Sequence, residues 1–211
     1  MSSKAAEHRR LAGRLVVATH NPGKLKEMRE LLMPFGIDAV SAGELGLPEP
    51  AENGPTFKEN ARIKARAAAT TSGLPAFADD SGLTVDALGG APGILSARYA
   101  GQNASDKQNI DKLLGELARV GARAKRSARF RCVIALARKG KLLGTFEGMI
   151  EGMITEQARG LRGFGYDPIF VPRGFEETFA ELPAELKNSI SHRAKAIRAL
   201  AAKLGTLRTD D

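Results

Sequence analysis

Two stretches of alternating apolar and polar residues, Arg129 to Ala137 and Lys141 to Thr155, flank the dipeptide Lys139-Gly140. A short turn ending in glycine joins antiparallel strands, so the pattern predicts a long hairpin that projects from the body of the fold. That hairpin constrains the rest of the chain. Any sheet containing it has antiparallel pairs, yet the chain opens as strand, loop and helix. Arg14-Leu15-Val16-Val17-Ala18-Thr19 is a β-branched, apolar run, and from Asn21-Pro22 onward Leu25, Met28, Leu31, Leu32 and Phe35 recur at helical spacing. Helices separated by strands, together with an obligatory antiparallel hairpin, predict an α/β fold with a mixed sheet.

The remaining elements follow from their caps. Thr56 and Glu59 have capping-box spacing ahead of an alanine-rich helix that runs to Gly73. Pro75-Ala76-Phe77-Ala78 enters a strand that meets Asp79-Asp80-Ser81-Gly82, and Leu83-Thr84-Val85 continues as a further extended piece, which places the acidic pair at a strand end or turn. Ser105 and Gln108 form a second capping box before Ile110, Leu113, Leu114 and Leu117, a helix expected to stop near Gly121. Ser191 precedes a final helix carrying Ile197, Leu200 and Leu204 and ended by Gly205. No internal repeat, low-complexity linker or domain boundary interrupts this order. The expected organisation is a basic N-terminal extension over residues 1–13 and one domain over residues 14–211.

Composition narrows the function. With 211 residues and 43% hydrophobic content, the chain is long and apolar enough to bury a core of its own. No apolar run approaches the roughly 20 residues that span a bilayer, and Met1 to Arg14 carries charge without an apolar stretch, so a soluble, cytoplasmic protein without a membrane partner is expected. The single Cys132 sits in an apolar alternation and reads as a buried small hydrophobe. His8, His20 and His192 show no zinc-ligand spacing. Any metal should be hard and oxygen-bound. The net charge of +8 favours polyanionic ligands in general. Much of the excess lies in Lys4, Arg9, Arg10 and Arg14, and around a loop in Arg119, Arg123, Lys125, Arg126, Arg129 and Arg131, where a solvated face is the plain alternative. Aromatic residues make up only 5% and do not interleave with the basic ones, so no stable nucleic-acid complex is expected.

Four short segments carry chemistry. Thr19-His20-Asn21-Pro22-Gly23-Lys24 lies where a strand hands over to a helix, where free N–H groups, Gly23 and the Lys24 charge could cradle phosphates; ordinary helix initiation explains the same residues. Asp79-Asp80-Ser81-Gly82 sets two carboxylates side by side, for which a divalent cation or a shared proton is a natural reason, although Asp-Ser-Gly is also turn chemistry. Glu52, in a loop, offers a further oxygen ligand, and Mg²⁺ characteristically takes one or two carboxylates plus phosphate oxygens. Ser191-His192-Arg193, with Lys187 upstream, puts cations in a helix's first turn, against its dipole, as a binding site or a surface-paired arginine would. Gly163-Phe164-Gly165-Tyr166-Asp167-Pro168 holds aromatics between glycines, either as a base-stacking platform or as a plug at a strand entrance.

Together these residues resemble the inosine triphosphate pyrophosphatase family, also called XTP/dITP diphosphatases. The resemblance runs from Leu15 to Leu204 through Thr19-x-Asn21-x-x-Lys24, Glu52-x-Gly54-x-Thr56-Phe57-x-Glu59-Asn60-Ala61, Ala78-Asp79-Asp80-Ser81-Gly82-Leu83, Gly89-Gly90-Ala91-Pro92-Gly93, Ser96-Ala97-Arg98-Tyr99, Gly163 to Pro168 and Ser191-His192-Arg193. It implies an elongated mixed sheet with flanking helices in two lobes around a nucleotide cleft, Mg²⁺ dependence, a homodimer, and hydrolysis of ITP, dITP or XTP to the monophosphate and pyrophosphate. Carried over by position, Thr19, His20, Asn21, Pro22, Gly23 and Lys24 hold the phosphates, and Glu52 and Asp80 serve the metal. Asp80 accepts a proton in a catalytic set with Lys24 and Asp79. Ser81, Phe164, Gly165, Tyr166, Asp167, Lys187, His192 and Arg193 line the nucleotide pocket. Residues 1–13 extend beyond the family's start, and Ala51 stands beside Glu52 where many members carry a second acid.

Overall fold

The computed structural model describes residues 15–121 and 125–206; the extension expected over residues 1–13, together with Arg14 and Arg123, lies outside the described residues. The chain opens with β1 (Leu15–Val17), α1 (Pro22–Leu32), β2 (Ala39–Ser41) and α2 (Phe57–Ser72). β3 (Ala76–Val85) and α3 (Asp106–Val120) follow, then the hairpin of β4 (Ser127–Arg138) and β5 (Lys141–Ile154). β6 (Phe170–Pro172), α4 (Ala184–Ile190) and α5 (His192–Thr206) complete the fold. The strands form one six-stranded sheet in the order β2-β1-β3-β4-β5-β6. β1 pairs in parallel with β2 and β3, whereas β3/β4, β4/β5 and β5/β6 are antiparallel, so the sheet is mixed as the hairpin required.

The hairpin turns where the sequence indicated. Lys139 and Gly140 both take positive φ, 50° and 73°, the backbone of a two-residue type I′ turn, and Arg138 pairs with Lys141 across it. A register shift between Leu136 and Ala137 marks a bulge that adds local bend to these long strands. At α3 both halves of the capping box form between Ser105 and Gln108. At α2 only one half does: Thr56 Oγ1 accepts from Glu59 N, but the Glu59 carboxylate takes the Thr56 hydroxyl and not its backbone N–H. The last helix passes through Gly205 to Thr206 instead of ending there.

Side chains alternate across the sheet, and each face has its own core. Val17, Phe77, Ile134 and Leu136 pack against Met28 and Leu32 of α1 and Ile197 and Leu200 of α5. Val16, Ala18, Ala76, Ala78, Ala135 and Ala137 face α2, which presents Ala61, Ala65, Ala68 and Ala69. Alanine on both sides lets that helix lie close to the strands. A third cluster occupies the far end of the long strands, where Leu83, Val85, Phe130 and Ile150 meet Ile110, Leu113 and Leu117 of α3 and the aromatic group Tyr166, Phe170 and Phe179. The two packing regions thus share β3, β4 and β5, with no linker between them.

One correction bears directly on function. Asp79 and Asp80 are not at a strand end or turn; they lie inside the continuous ten-residue β3, paired with Ile134 and Val133 of β4. Ser81-Gly82 imitates turn chemistry, but Gly82 is there for close packing. A Cβ at this position would collide with Ser96 Oγ and lie 2.5 Å from the Gly93 carbonyl. Gly148 plays the same part under α5, where a Cβ would overlap the His192 carbonyl and approach Ala196 N to 2.7 Å. Gly148→Ala should therefore lift α5 off β5 and destabilise the chain by about 1–3 kcal/mol or more. Urea unfolding checks this; wild-type stability in the variant would show that the helix is free to shift.

Candidate active-site cleft

The loop after β1 and the first turn of α1 make one wall. Asn21 caps α1, its Oδ1 accepting from Lys24 N at 3.0 Å, while Thr19 Oγ1 accepts from Asn21 N at 3.2 Å. Pro22 has no N–H, so the first turn offers a ligand the Gly23 N–H and not the row of free donors that the sequence suggested. Gly23 has a second reason to be glycine: a Cβ would stand 2.9 Å from Phe164 Cδ1, so the helix start packs directly on the aromatic loop. Lys24 reaches inward to Asp79 Oδ2 at 3.1 Å.

Alternation along β3 sends Asp79 and Asp80 to opposite faces, and they do not share a proton. Asp79 points to the α1/α5 face, where it meets Lys24, the Arg193 guanidinium at 3.5 Å and the Ser81 hydroxyl, which donates at 2.9 Å. Burial pushes its carboxyl up, but Lys24, Arg193 and Lys64 more than reverse this and hold it well below the ordinary range. Asp80 points to the α2 face, where Lys64 Nζ bridges it, at 3.2 Å, to Glu52. Here burial prevails, with Glu52 and Asp79 adding to it against Lys64 and Lys24, and the Asp80 carboxyl is raised. Its Oδ2 is buried without a hydrogen-bond partner. Glu52 is held low because Lys64, Lys24 and Arg98 outweigh its burial.

The opposite side of the cleft is built from buried charge. Lys187 on α4 donates to Glu27 Oε1 at 2.6 Å and to Asp167, while Arg193 on α5 donates to the other Glu27 oxygen and to Ser81 Oγ at 3.1 Å. Asp167 also accepts from Phe164 N at 3.0 Å, so it braces the aromatic loop. Of the two aromatics on that loop, Phe164 is half-buried in the cavity wall, with the Lys187 ammonium 5.1 Å and the Arg193 guanidinium 5.7 Å from its ring centre. Tyr166 is the plug, 4% exposed with its hydroxyl donating to Ser96 O at 2.8 Å. His192 stacks on Phe130, 4.8 Å between centroids and 9° between planes. Burial first, then Arg193 and Lys187, drive its pKa well below the usual value, so it is neutral. Its Nδ1 and the Arg193 Nε are buried without partners. Cys132, buried behind the site, has its thiol pushed up to about 12 by burial and Asp79 and is inert.

Two cavities result, and they meet. One of about 260 Å³ is lined by Phe164, Gly165, Tyr166, Asp167, Phe130, Lys187, His192 and Arg193. The other, about 800 Å³, is lined by Thr19, His20, Pro22, Glu52, Lys64, Asp80 and Arg98. Asn21, Lys24, Ser81 and Ala97 belong to both, so the two form one cleft with an aromatic, donor-lined slot at one end and a carboxylate cluster at the other. Asp79, 1% exposed, lies beneath the shared rim.

Sequence reasoning missed Glu27 and Lys64. Both carried a signal: Lys64 interrupts the alanine stripe Ala61, Ala65, Ala68 on the buried face of α2, and Glu27 adjoins the buried Met28 one turn beyond Lys24. A charge on a helix's apolar stripe has a buried partner or a ligand. Glu52 and Asp80 offer two hard oxygen donors around one position already occupied by an ammonium, and Asp80 Oδ2 is unsatisfied, so the set fits a divalent cation completed by phosphate oxygens.

The sequence model of the Ham1 family matches residues 15–203. A dITP/XTP pyrophosphatase of Rhodopseudomonas palustris is 51% identical over 204 residues, covering 92% of this chain and 97% of the relative. A dITP/XTP pyrophosphatase of Bacillus subtilis is 49% identical over 190 residues, covering 90% and 96% respectively. Among solved structures, a HAM1 protein from Coxiella burnetii superimposes with a TM-score of 0.82 at 47% identity, covering 90% of this chain and 98% of that one.

Because Asp79 is held below the ordinary carboxylate range, its charge contributes stability that is complete above its unfolded value, about 4. That contribution is lost as pH falls through its lower folded value. Asp79→Asn is expected to lose about 3–5 kcal/mol at about pH 7, because Lys24 loses its buried counter-charge and Arg193 is left with Glu27 alone. The deficit should narrow as pH drops below about 4. Urea unfolding of both proteins across that range checks it, and a deficit independent of pH would contradict the ionised Asp79 of this account.

Proposed function

The chain belongs to the Ham1 family, and on that footing we propose that it hydrolyses non-standard purine nucleoside triphosphates, ITP, dITP and XTP, to the monophosphate and pyrophosphate. The observation that carries this reading is the shared rim: Asn21, Lys24 and Ser81 join a slot suited to a purine base to a carboxylate cluster suited to a chelated triphosphate. The name dITP/XTP pyrophosphatase borne by relatives at about half identity supports the same substrate class. Clearing such nucleotides keeps deaminated purines out of DNA and RNA. A homodimer in the cytoplasm completes the proposal; among the described residues no helix is long and apolar enough to cross a membrane.

In this reading the base stacks on Phe164 while Arg193 and Lys187 present donors to O6. Lys187 has three N–H groups and spends two on Glu27 and Asp167, so one donor remains for a ligand. Hypoxanthine and xanthine offer an acceptor at O6, whereas adenine offers an amino group. Each mispaired buried donor costs about 1–3 kcal/mol, roughly ten- to a hundredfold in selectivity. Guanine shares O6 and has to be refused at its 2-amino group. Both bonds to the Asp167 carboxylate, from Lys187 and from Phe164 N, fall on Oδ2 and fix it against the wall of the slot.

At the other end Glu52 and Asp80 would hold Mg²⁺, which supplies positive charge to the phosphate oxygens and acidifies water. Asp80, with a raised pKa and a free Oδ2, takes the proton from a water whose oxygen attacks the α-phosphorus. The bond from that phosphorus to the bridging oxygen breaks, and pyrophosphate leaves with the electron pair. Lys24 and the Gly23 N–H offset charge gathering on the phosphates.

Asp80→Asn should lower kcat by about a hundredfold or more without loss of thermal stability, since it removes an unfavourably buried charge. Release of pyrophosphate, followed with a coupled inorganic pyrophosphatase across ITP, XTP, GTP, dTTP and ATP, with and without Mg²⁺, checks both parts. Near-normal turnover by the variant would remove Asp80 from the role, and equal turnover of ITP and ATP would defeat the account of base choice.

A further inference from the structure

Phe164 stands between two glycines that both take positive φ, 75° at Gly163 and 60° at Gly165. Neither neighbour has a side chain to hold the backbone, so the direction of the ring depends on what the surrounding peptide groups bond to. Phe164 N donates to Asp167, inside the same loop. The anchor upstream is Arg162, whose backbone N–H donates to Ala180 O at 3.1 Å, and the anchor downstream is the Tyr166 hydroxyl on Ser96 O. Among the described residues, one hydrogen bond ties residues 163–165 to an element outside the loop: Gly165 N donates to Asp106 Oδ2 at 2.6 Å.

Asp106 is available for that bond because its own helix does not need it as a cap. It is the first residue of α3, and Ser105 and Gln108 close the capping box without it. The start of α3 is firmly held. Asn109 is 3% exposed, donates to Ala97 O at 3.2 Å and accepts from Ala100 N at 2.8 Å, while Ile110, Leu113 and Leu117 are packed in the core. Asp106, Asn109 and Gly165 line the same slot as Phe164, so the bond is made at the wall of that cavity. A carboxylate that accepts from an amide makes one of the stronger hydrogen bonds. On its other side the ring abuts the start of α1, where a Cβ on Gly23 would stand 2.9 Å from it. The platform is thus held between two helix starts.

We infer that Asp106 is a positioning residue for the base: by holding Gly165 to the start of α3 it fixes the plane of Phe164 on which the base stacks. The inference rests on the proposed nucleotide reading and adds to it a residue that acts through the aromatic loop. The phosphate end of the cleft is independent of it, since Lys24, Glu52 and Asp80 are tied to Asp79 and Lys64 and not to Asp106 or Gly165. With the bond removed, Gly163 and Gly165 let the ring leave its stacking position. The base then loses part of its platform while the phosphates keep their partners.

Two measurements on the full chain test this, with Asp106→Ala and Asp106→Asn beside the parent. In calorimetric titrations, Asp106→Ala should bind IMP about tenfold more weakly, the order of one lost base–aromatic stack, and bind pyrophosphate with Mg²⁺ within about twofold of the parent. Asp106→Asn should recover part of the loss, because its side-chain oxygen still accepts from Gly165 N. In the ligand-free chain, hydrogen exchange at the Gly165 amide, followed by NMR, should quicken about tenfold or more in Asp106→Ala. An unchanged IMP affinity in Asp106→Ala would overturn the inference. So would an equal loss for both ligands, since that marks damage to the whole cleft, and a lowered thermal midpoint identifies such a case independently. A parent chain that binds no IMP would defeat the nucleotide reading instead, and the Gly165 exchange rate would still decide whether Asp106 holds the loop.

Discussion

Arg193 is 2% exposed, with its guanidinium shared between Glu27 of α1 and Asp79 of β3, and buried carboxylates stay ionised only with such cations beside them. Lys187 extends the chain of charge from Glu27 to Asp167, and Lys24 closes it on Asp79. These contacts join α1, β3, the aromatic loop, α4 and α5, elements that are otherwise far apart in sequence. They are poor agents of stability. Desolvating such ions costs several kcal/mol each, and well-packed apolar residues would do as well or better. What they give is position: with all partners present, each charged atom has one place to be.

The same reasoning separates the two aspartates that the sequence presents as a pair. Asp79 is surrounded by permanent cations and acts as a fixed negative charge that orients Lys24 and Arg193. Asp80, one residue on and on the other face, shares a single lysine with Glu52 and keeps one oxygen free. Adjacent carboxylates thereby acquire opposite pKa shifts, which is how one strand supplies both a structural anion and a candidate base.

Much of the fold was legible because it is written locally. The type I′ dipeptide Lys139-Gly140, the Ser105/Gln108 box and the periodicity of α1 depend on a few neighbouring residues each. β3 was misread at Asp79-Asp80 because a strand can carry charge at its centre only when partners come from elsewhere, here from Lys24, Lys64 and Arg193, which lie up to more than a hundred residues away. Gly82 reads locally as a turn residue and Gly23 as a phosphate approach; the packing that also requires glycine there, against Ser96 and the Phe164 ring, is tertiary and has no local signature. The short β2, β6 and α4 carry too few residues to show a period. Glu27 and Lys64 stood in view as charges on buried helix faces, and only the fold says what they face.

The place of the cleft follows from where the apolar clusters end on β3. Ala76 to Ala78 belong to the cores under α2 and under α1 and α5, and Leu83 and Val85 belong to the core under α3. Residues 79–82 belong to none of them. Two apolar regions packed on the same strands leave a polar gap between them, and a gap is where a charged ligand can enter without displacing packed side chains. Because β3, β4 and β5 run unbroken through both regions, the distance from the Phe164 slot to the Glu52 and Asp80 carboxylates is set by strand geometry and not by a flexible linker. A ligand whose two ends must be read at a fixed separation, a base at one and phosphates at the other, is the kind that a rigid span of this sort can measure.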